Sequence, residues 1–334
     1  MSKRLLRLDT GILSAASVVG SHEYKGPLGG EFDMHDPTDR FGQTTWEKAE
    51  GEMQRRALGL ALGKCGVTER MIDVMFAGDL LNQCVASAYG LMSYDIPYFG
   101  LYGACSTSVE GLILASVMQT TGMANLCAVV SSSHNCAAER QYRAPIEYGS
   151  QRTPTSQWTV TGAGAFILGT GGEARIRAAM PGIVVEKGIR DANNMGAAMA
   201  PAVLDTLCRY FAESGSAPDD YDMIVTGDLG YEGGSLLCEM MLGEGLNIQG
   251  RYTDCGMMIY SKSTQDKHAG GSGCGCASVV TASHWLPRVE RGEIKKMLLI
   301  ATGAMMSPTS IQQGEAIPAV AHLILLEHDG GKRR

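Results

Sequence analysis

Apolar segments of two kinds alternate along the chain, and they predict alternating strands and helices. Short apolar runs bounded by Gly, Asp or Ser are typical of buried strands, whereas apolar residues at helical spacing predict the helices between them. The clearest helix follows a capping box at Thr44 to Glu47 and stops at Gly66. The predicted strands span 5–19, 74–77, 98–102, 126–131, 159–169, 174–185, 223–226, 256–260, 296–301 and 318–326. The other predicted helices span 83–93, 106–121, 197–214, 233–242 and 268–290.

The second half of the chain repeats the element order of the first. Asp73 to Leu80 is matched by Asp222 to Leu229, and each segment places Gly-Asp-Leu after a short apolar run. We therefore predict two similar α/β halves, residues 1–171 and 172–334, that pack as one body. Alternating strands and helices form parallel sheets that helices cover on both faces. In such sheets, ligands bind outside the carboxyl ends of the strands.

A turn of small residues, Tyr102 to Ser108, joins a predicted strand to the helix that follows it. The turn places Cys105 at a strand-to-helix elbow, where free backbone N–H groups and the helix dipole favour a thiolate or a bound anion. A buried cysteine that packs as a small hydrophobic residue is the alternative. The neighbouring residues that suit a tight turn and a helix cap are Gly103, Ser106 and Thr107.

A glycine-rich stretch precedes the last predicted helix of the second half and contains His268, Cys274 and Cys276. A twofold relation between the halves would bring His268 close to Cys105. The two cysteines, with Cys255 and His268 nearby, raise the question of a zinc site. Their C-x-C spacing differs from the C-x2-C spacing of structural zinc sites, so we expect close packing instead, and no metal.

The segment 132–158 is too long and too polar for an ordinary connection within a compact domain. Loops of this length are usually functional or disordered. Arg140 and Arg143 lie in it, and a guanidinium group suits the binding of a carboxylate. Charged loop residues are more often solvated or paired structurally, which is the alternative for both.

Charge and composition exclude several classes of protein. The formal net charge is −7 and the basic residues form no long run, which argues against nucleic-acid binding. The ten cysteines are scattered and no signal peptide precedes them, so we expect reduced thiols. No apolar stretch approaches the roughly 20 residues of a membrane span. We expect a soluble or peripheral protein without a transmembrane segment and without a cofactor.

The duplicated element order with a Gly-x-Cys-Ser elbow resembles the thiolase fold of thiolases and ketoacyl synthases, over nearly the whole chain. The resemblance implies thiolase-like duplicated α/β halves in a layered α-β-α-β-α body. In that superfamily the elbow cysteine takes an acyl group and works with two histidines, or a histidine and an asparagine, of the second half. These positions fall on Cys105, on His268 and near Gly227-Asp228, where no histidine stands. The catalytic set is therefore incomplete.

A narrower resemblance covers 139–162 and 29–46, which look like the stage V sporulation protein AD family of spore-forming bacteria. It implies non-catalytic binding of dipicolinic acid (pyridine-2,6-dicarboxylate), alone or with calcium, in the machinery that moves this ligand into the developing spore. The implied location is cytoplasmic or peripheral at the inner membrane of the spore, beside membrane proteins of the same transport assembly. The expected ligand-binding residues are Cys105, Gly103, Ser106, Thr107, His268, Arg140 and Arg143.

Two further expectations accompany this resemblance. The alternative function is a thiolase-type or ketoacyl-synthase-type acyltransferase with Cys105 as the nucleophile and His268 as the base or oxyanion donor. Thiolase-fold relatives commonly pair as dimers, so we also expect a homodimer, with the strand near Leu126 at its seam.

Overall fold

The computed structural model describes residues 4–142 and 152–330, in which strands and helices alternate as the apolar pattern predicts. The strands are β1 (Leu6–Val19), β2 (Met34–His35), β3 (Val74–Gly78), β4 (Tyr98–Leu101), β5 (Cys127–Ser133), β6 (Trp158–Thr159), β7 (Gly162–Gly169), β8 (Ala174–Met180), β9 (Met223–Thr226), β10 (Tyr252–Asp254), β11 (Gly271–Ser272), β12 (Lys296–Ala304) and β13 (Ala319–His328). The helices are α1 (Ser21–Tyr24), α2 (Trp46–Cys65), α3 (Val85–Leu91), α4 (Thr107–Thr120), α5 (Asn135–Tyr142), α6 (Met195–Ser214), α7 (Gly230–Gly243), α8 (Cys255–Met258), α9 (Cys274–Val280), α10 (Leu286–Glu290) and α11 (Pro308–Gln312).

One sheet of eleven strands connects the two halves of the chain. Its central strands, β1 and β8, pair antiparallel, with Leu6 opposite Ala179. Outward from this pair, the first half adds β7, β5, β3 and β4, and the second half adds β13, β12, β9 and β10. Each half therefore has the same strand order counted from its own first strand. The division at residues 171 and 172 stays a prediction.

Alternation along the strands builds the layers. Val74 and Phe76 of β3 and Leu299 of β12 lie in a central core together with α4 and α9. The intervening Met75 of β3 packs in a second core with α2, and Leu298 of β12 packs in a third core with α6. Successive side chains of a strand point to opposite faces of the sheet, and helices pack against both of these faces. This arrangement confirms the layered α-β-α-β-α prediction.

The two longest helices begin and end within two residues of their predicted bounds, although Thr45, and not Thr44 of the predicted capping box, caps α2. The Thr45 hydroxyl accepts a hydrogen bond from the Lys48 amide at the start of α2, and Gly66 ends the helix in the left-handed conformation, with a φ of 69°. Asn194 caps α6, and Gly215 ends it with a φ of 72°. No helix in residues 4–142 and 152–330 is long and apolar enough to cross a membrane.

The predicted strand at 256–260 is wrong, because the helix α8 (Cys255–Met258) occupies most of that segment. The strand β10 ends just before it, and the Asp254 carboxylate accepts a hydrogen bond from the Met257 amide at the start of α8. A short apolar run does not distinguish a buried strand from a buried helical turn, whereas a capping aspartate before it favours the helix.

The segment 132–158 is not the continuous loop that its polarity predicts. It begins inside β5 and continues into α5, whose Ala137 and Ala138 are buried against the body. These two alanines form the buried face of the helix. Polar residues surround them in the sequence, so the apolar pattern was too short to predict a helix. Residues 143–151 lie outside the part of the chain that the structure describes.

The expected dimer seam near Leu126 is also wrong. The strand that follows Leu126 is β5, and it pairs with β3 on one side and with β7 on the other. A strand paired on both sides has no free edge for another chain. The outermost strand of this half is β4, whose Tyr98 and Phe99 are 38% and 56% exposed. The homodimer itself stays a prediction.

Candidate ligand-binding site

The elbow before α4 is held by its own small residues. The Ser106 hydroxyl donates to the carbonyl oxygen of Gly103 at 2.7 Å, and the Thr107 hydroxyl donates to that of Ala104 at 2.7 Å. Ala104 has a φ of 51°, a strained value for a residue with a side chain, and such strain is common at functional sites. Gly103, Ser106 and Thr107 therefore shape the turn that presents Cys105.

A cavity of about 450 Å³ opens beside the elbow, at the carboxyl ends of the strands. Cys105 lines it and is 7% exposed. Both halves contribute residues, which explains why no single stretch of sequence reveals it. Its wall combines apolar and aromatic side chains (Leu80, Tyr102, Ala138, Tyr142, Met195, Met306) with polar ones (Asn82, Glu139, Asn193, Ser272, Ser307, Ser310).

Gly273 and Cys274 of the second half lie beside Cys105, whereas His268 does not line the cavity. The backbone of Gly273 lies against the Cys105 thiol and against the carboxyl group of Asp228. Burial raises the pKa of the Cys105 thiol well above its usual value, and the charge of Asp228 raises it further. A thiol in these surroundings is a poor nucleophile, because the thiolate is the reactive form.

Asp228 follows β9 and is completely buried. The backbone of Gly273, the backbone of Thr302 and the Cys276 thiol lie near its carboxyl group. Burial, and then the charge of Asp254, raise the pKa of Asp228 well above its usual value. The thiolase resemblance had placed a catalytic position near Gly227-Asp228, and Asp228 does not line the cavity.

His268 lies outside the cavity wall. Its Nδ1 lies 2.6 Å from the carbonyl oxygen of Thr153, and its Nε2 lies 2.9 Å from Asp266 Oδ1. The last helix of this region starts only at Cys274, because Gly273 before it has a φ of 112°. The residues between His268 and α9 therefore separate the histidine from the elbow. Its predicted role in ligand binding is untested.

The predicted arginines take different places. Arg140 pairs with Glu47, and its side chain is 49% exposed on the surface outside the cavity wall. Arg143 lies outside the described residues. Their roles as ligand contacts stay predictions.

The cysteines around the site donate to backbone carbonyl groups. The Cys274 thiol donates to the oxygen of Ala104 at 2.9 Å, and the Cys276 thiol donates to that of Gly227 at 3.3 Å. In residues 4–142 and 152–330, no group of three or more His, Cys, Asp or Glu residues is arranged to hold a metal ion.

Comparison with known proteins shows both the fold and the family. The chain resembles crystal structures of OleA from Xanthomonas campestris (TM-score 0.60, 14% identity, covering 98% of this chain and 100% of that one) and of 3-oxoacyl-[acyl-carrier-protein] synthase III from Aquifex aeolicus VF5 (TM-score 0.57, 12% identity, covering 96% and 100%). At these identities the likeness shows the thiolase-like fold alone.

Two matches in sequence are closer. The family model of stage V sporulation protein AD matches residues 3–327. Stage V sporulation protein AD of Bacillus subtilis (strain 168) is 41% identical over 319 residues, which cover 95% of this chain and 94% of that protein. The chain therefore belongs to the stage V sporulation protein AD family.

Proposed function

We propose that the protein binds dipicolinic acid in the cavity beside Cys105 and does not catalyse acyl transfer. Membership of its family gives the protein a role in sporulation. The observation that carries the proposal is a formed cavity of about 450 Å³ at the elbow of a chain of this family. Small-molecule sites usually measure about 300 to 1,000 Å³.

The chemistry of the wall suits a flat aromatic ring with polar groups at its edge. Tyr102 and Tyr142 provide aromatic faces, and Met195 and Met306 provide adaptable apolar surface. Asn and Ser side chains of both halves carry N–H and O–H groups that are able to donate to carboxylate oxygens. A ligand held between the two halves would contact residues from each of them.

The state of Cys105 supports binding rather than turnover. Acyl transfer needs a thiolate and a base that accepts its proton. Here the second half presents a buried carboxyl group to the thiol, and His268 hydrogen-bonds elsewhere. No histidine of the described residues lines the cavity beside Cys105, which disfavours the acyltransferase alternative. Rapid labelling of Cys105 by acyl thioesters would restore it.

We also propose that the protein works at the inner membrane of the spore, as a peripheral component beside membrane proteins of the same transport assembly. This part of the proposal depends on the family resemblance. Co-purification of those membrane proteins with the tagged protein from sporulating cells tests it, and recovery of the protein without any of them would contradict it.

Calorimetric titration with dipicolinate, with and without Ca²⁺, tests the binding itself. Pyridine-2-carboxylate serves as the control ligand, since it lacks one carboxylate and should bind at least about tenfold more weakly. Met306→Trp fills the cavity and should abolish binding. Met123→Trp is the matched control, because Met123 is 76% exposed and lies outside the cavity wall. No saturable binding to the wild-type protein would refute the proposal.

A further inference from the structure

One connection between strands from each half contributes to the cavity wall. In the first half the connection from β5 to β7 carries α5, and three residues of this helix line the cavity: Ala138, Glu139 and Tyr142. In the second half the connection from β12 to β13 carries α11, and four of its residues line the cavity: Met305, Met306, Ser307 and Ser310. The two connections occupy equivalent places in the repeat, so their attachments to the rest of the protein can be compared.

The first connection is fixed to the body of the protein through α5. Ala137 and Ala138 of this helix are buried. The Gln141 side-chain amide and the Tyr142 hydroxyl donate to the carbonyl oxygen of Leu80 at 3.2 and 2.8 Å. Buried contacts and hydrogen bonds to another element make α5 a firmly held part of the wall.

The second connection lacks both kinds of attachment. We call residues 305–316 the strap, and none of them is buried. Its backbone N–H groups donate within the strap, except that the Met305 amide donates to the oxygen of Pro318 and the Met306 amide to that of Ala304, where the connection ends and begins. The Ser307 and Ser310 hydroxyls cap α11 and bond to each other. Among the described residues, no side-chain hydrogen bond or ion pair joins the strap to another element.

Apolar packing is what holds the strap against the protein. Met306 and Ile311 are partly buried, and they pack against the core between β12 and α6. A segment with few buried contacts and without hydrogen bonds to the body opens at a small cost in free energy, while the rest of the protein stays folded.

We infer that the strap is a lid, which opens the cavity while α5 stays in place as the fixed wall. Lids on small-molecule sites admit the ligand when they are open and exclude water when they are closed. The identity of the enclosed ligand rests on the proposed function. The movement of the lid is tested in ligand-free protein, so a failure of the lid is distinguishable from a failure of the proposed function.

Labelling of Cys105 by N-ethylmaleimide tests the inference, because Cys105 lines the cavity and is only 7% exposed. The rate is measured at pH 8 by mass spectrometry of the peptide that contains Cys105. Ile311→Ser removes an apolar contact of the strap without changing a residue of the cavity wall. We expect this variant to raise the labelling rate by about tenfold, because the lid is then open about ten times as often.

Leu204→Ser is the matched control. Leu204 of α6 is partly buried against the same core as Ile311, and it lies outside the cavity wall. This variant should lose a similar amount of stability and leave the Cys105 rate unchanged. Equal Cys105 rates in wild-type and Ile311→Ser protein would overturn the inference, and so would the same acceleration in both variants.

Hydrogen exchange of the wild-type protein provides a second test, which needs no variant. In ligand-free protein we expect the amides of the strap to exchange at least about tenfold faster than those of α5, as measured by mass spectrometry. Equal rates in the strap and in α5 would also overturn the inference. A lid that opens as expected in a protein without measurable dipicolinate binding would support the inference and refute only the proposed ligand.

Discussion

The sequence repeat gives each half two aspartates, Asp73 and Asp79 in the first half and Asp222 and Asp228 in the second. One equivalent pair accepts the same hydrogen bonds in both halves, and the other pair does not. Asp73 accepts the Asn125 and Leu126 amides at 2.7 and 3.1 Å, just before β5. Asp222 accepts the Lys295 and Lys296 amides at 2.7 and 2.9 Å, at the start of β12. This pair has one structural role, and the role is the same in both halves.

Asp79 and Asp228 are equivalent in the repeat but have different surroundings. Asp79 accepts the hydrogen bonds of the turn after β3, whereas Asp254, and not Asp228, accepts those of the turn after β9. The aspartate that serves the turn is therefore not the repeat-equivalent one in the second half.

The largest expected loss of stability comes from removing Asp254, which accepts the hydrogen bonds of the turn after β9. Asp254→Ala leaves the buried Leu229 and Gly230 amides without an acceptor, so we expect the free energy of unfolding to fall by about 4 kcal/mol. Denaturant unfolding measures it. A loss below about 1 kcal/mol would mean that Asp228 shares this structural role, which would weaken the comparison between the halves.

The next effect concerns the contact between the halves. Glu23 accepts hydrogen bonds from the Thr161 amide of the first half and from the Tyr260 hydroxyl of the second. Burial outweighs these hydrogen bonds and raises the pKa of Glu23 from 4.5 to about 7. The folded protein therefore holds the proton more tightly than the unfolded chain does.

The sign of the pH dependence follows from that difference. The stabilisation that protonated Glu23 provides is fully present below pH 4.5 and is lost as the pH rises through about 7. We expect the unfolding free energy of the wild type, relative to Glu23→Gln, to fall by up to about 3 kcal/mol over this range. Parallel unfolding curves at several pH values measure it. A difference that stays constant with pH would contradict the expectation.

A smaller effect separates the repeat-equivalent aspartates directly. Asp79→Asn weakens three hydrogen bonds and should lower the unfolding free energy by about 2 kcal/mol. Asp228→Asn replaces a completely buried acid, whose pKa burial raises, and should raise it by about 1 kcal/mol. Thermal or chemical unfolding of the two variants measures both changes. Equal losses in the two variants would show that the two aspartates have equivalent roles.

The smallest expected effect is on ligand affinity, and it compares a residue of the cavity wall, Asn193, with His268, which the sequence predicted as a ligand contact. Asn193→Ala removes an amide from the cavity wall and should weaken dipicolinate binding by about fivefold, roughly 1 kcal/mol. His268→Asn should leave the affinity unchanged, because His268 lies outside the wall and asparagine tolerates its φ of 46°. Weaker dipicolinate binding by His268→Asn and unchanged binding by Asn193→Ala in calorimetry would show that His268 belongs to the site.

Local pattern predicted most of the fold because strands and helices bury side chains at different periods. The strand β9 and the ends of α2 lie where the sequence predicts them. The segment 256–260 was misassigned, because its conformation depends on the cap that Asp254 provides. The elbow cysteine was also predictable from its turn residues, since glycine and small hydroxyl residues suit a tight turn.

The sequence by itself determined the duplicated α/β order, the elbow at Cys105 and the family to which the chain belongs. The tertiary structure decided which residues of the second half reach that elbow. Gly273 and Cys274 lie beside it, whereas His268 is held by Thr153 and Asp266. The physical reason is that Gly273, with a φ of 112°, delays the start of α9 to Cys274 and leaves His268 in the loop before it. A contact between distant residues leaves no periodic signal in the sequence.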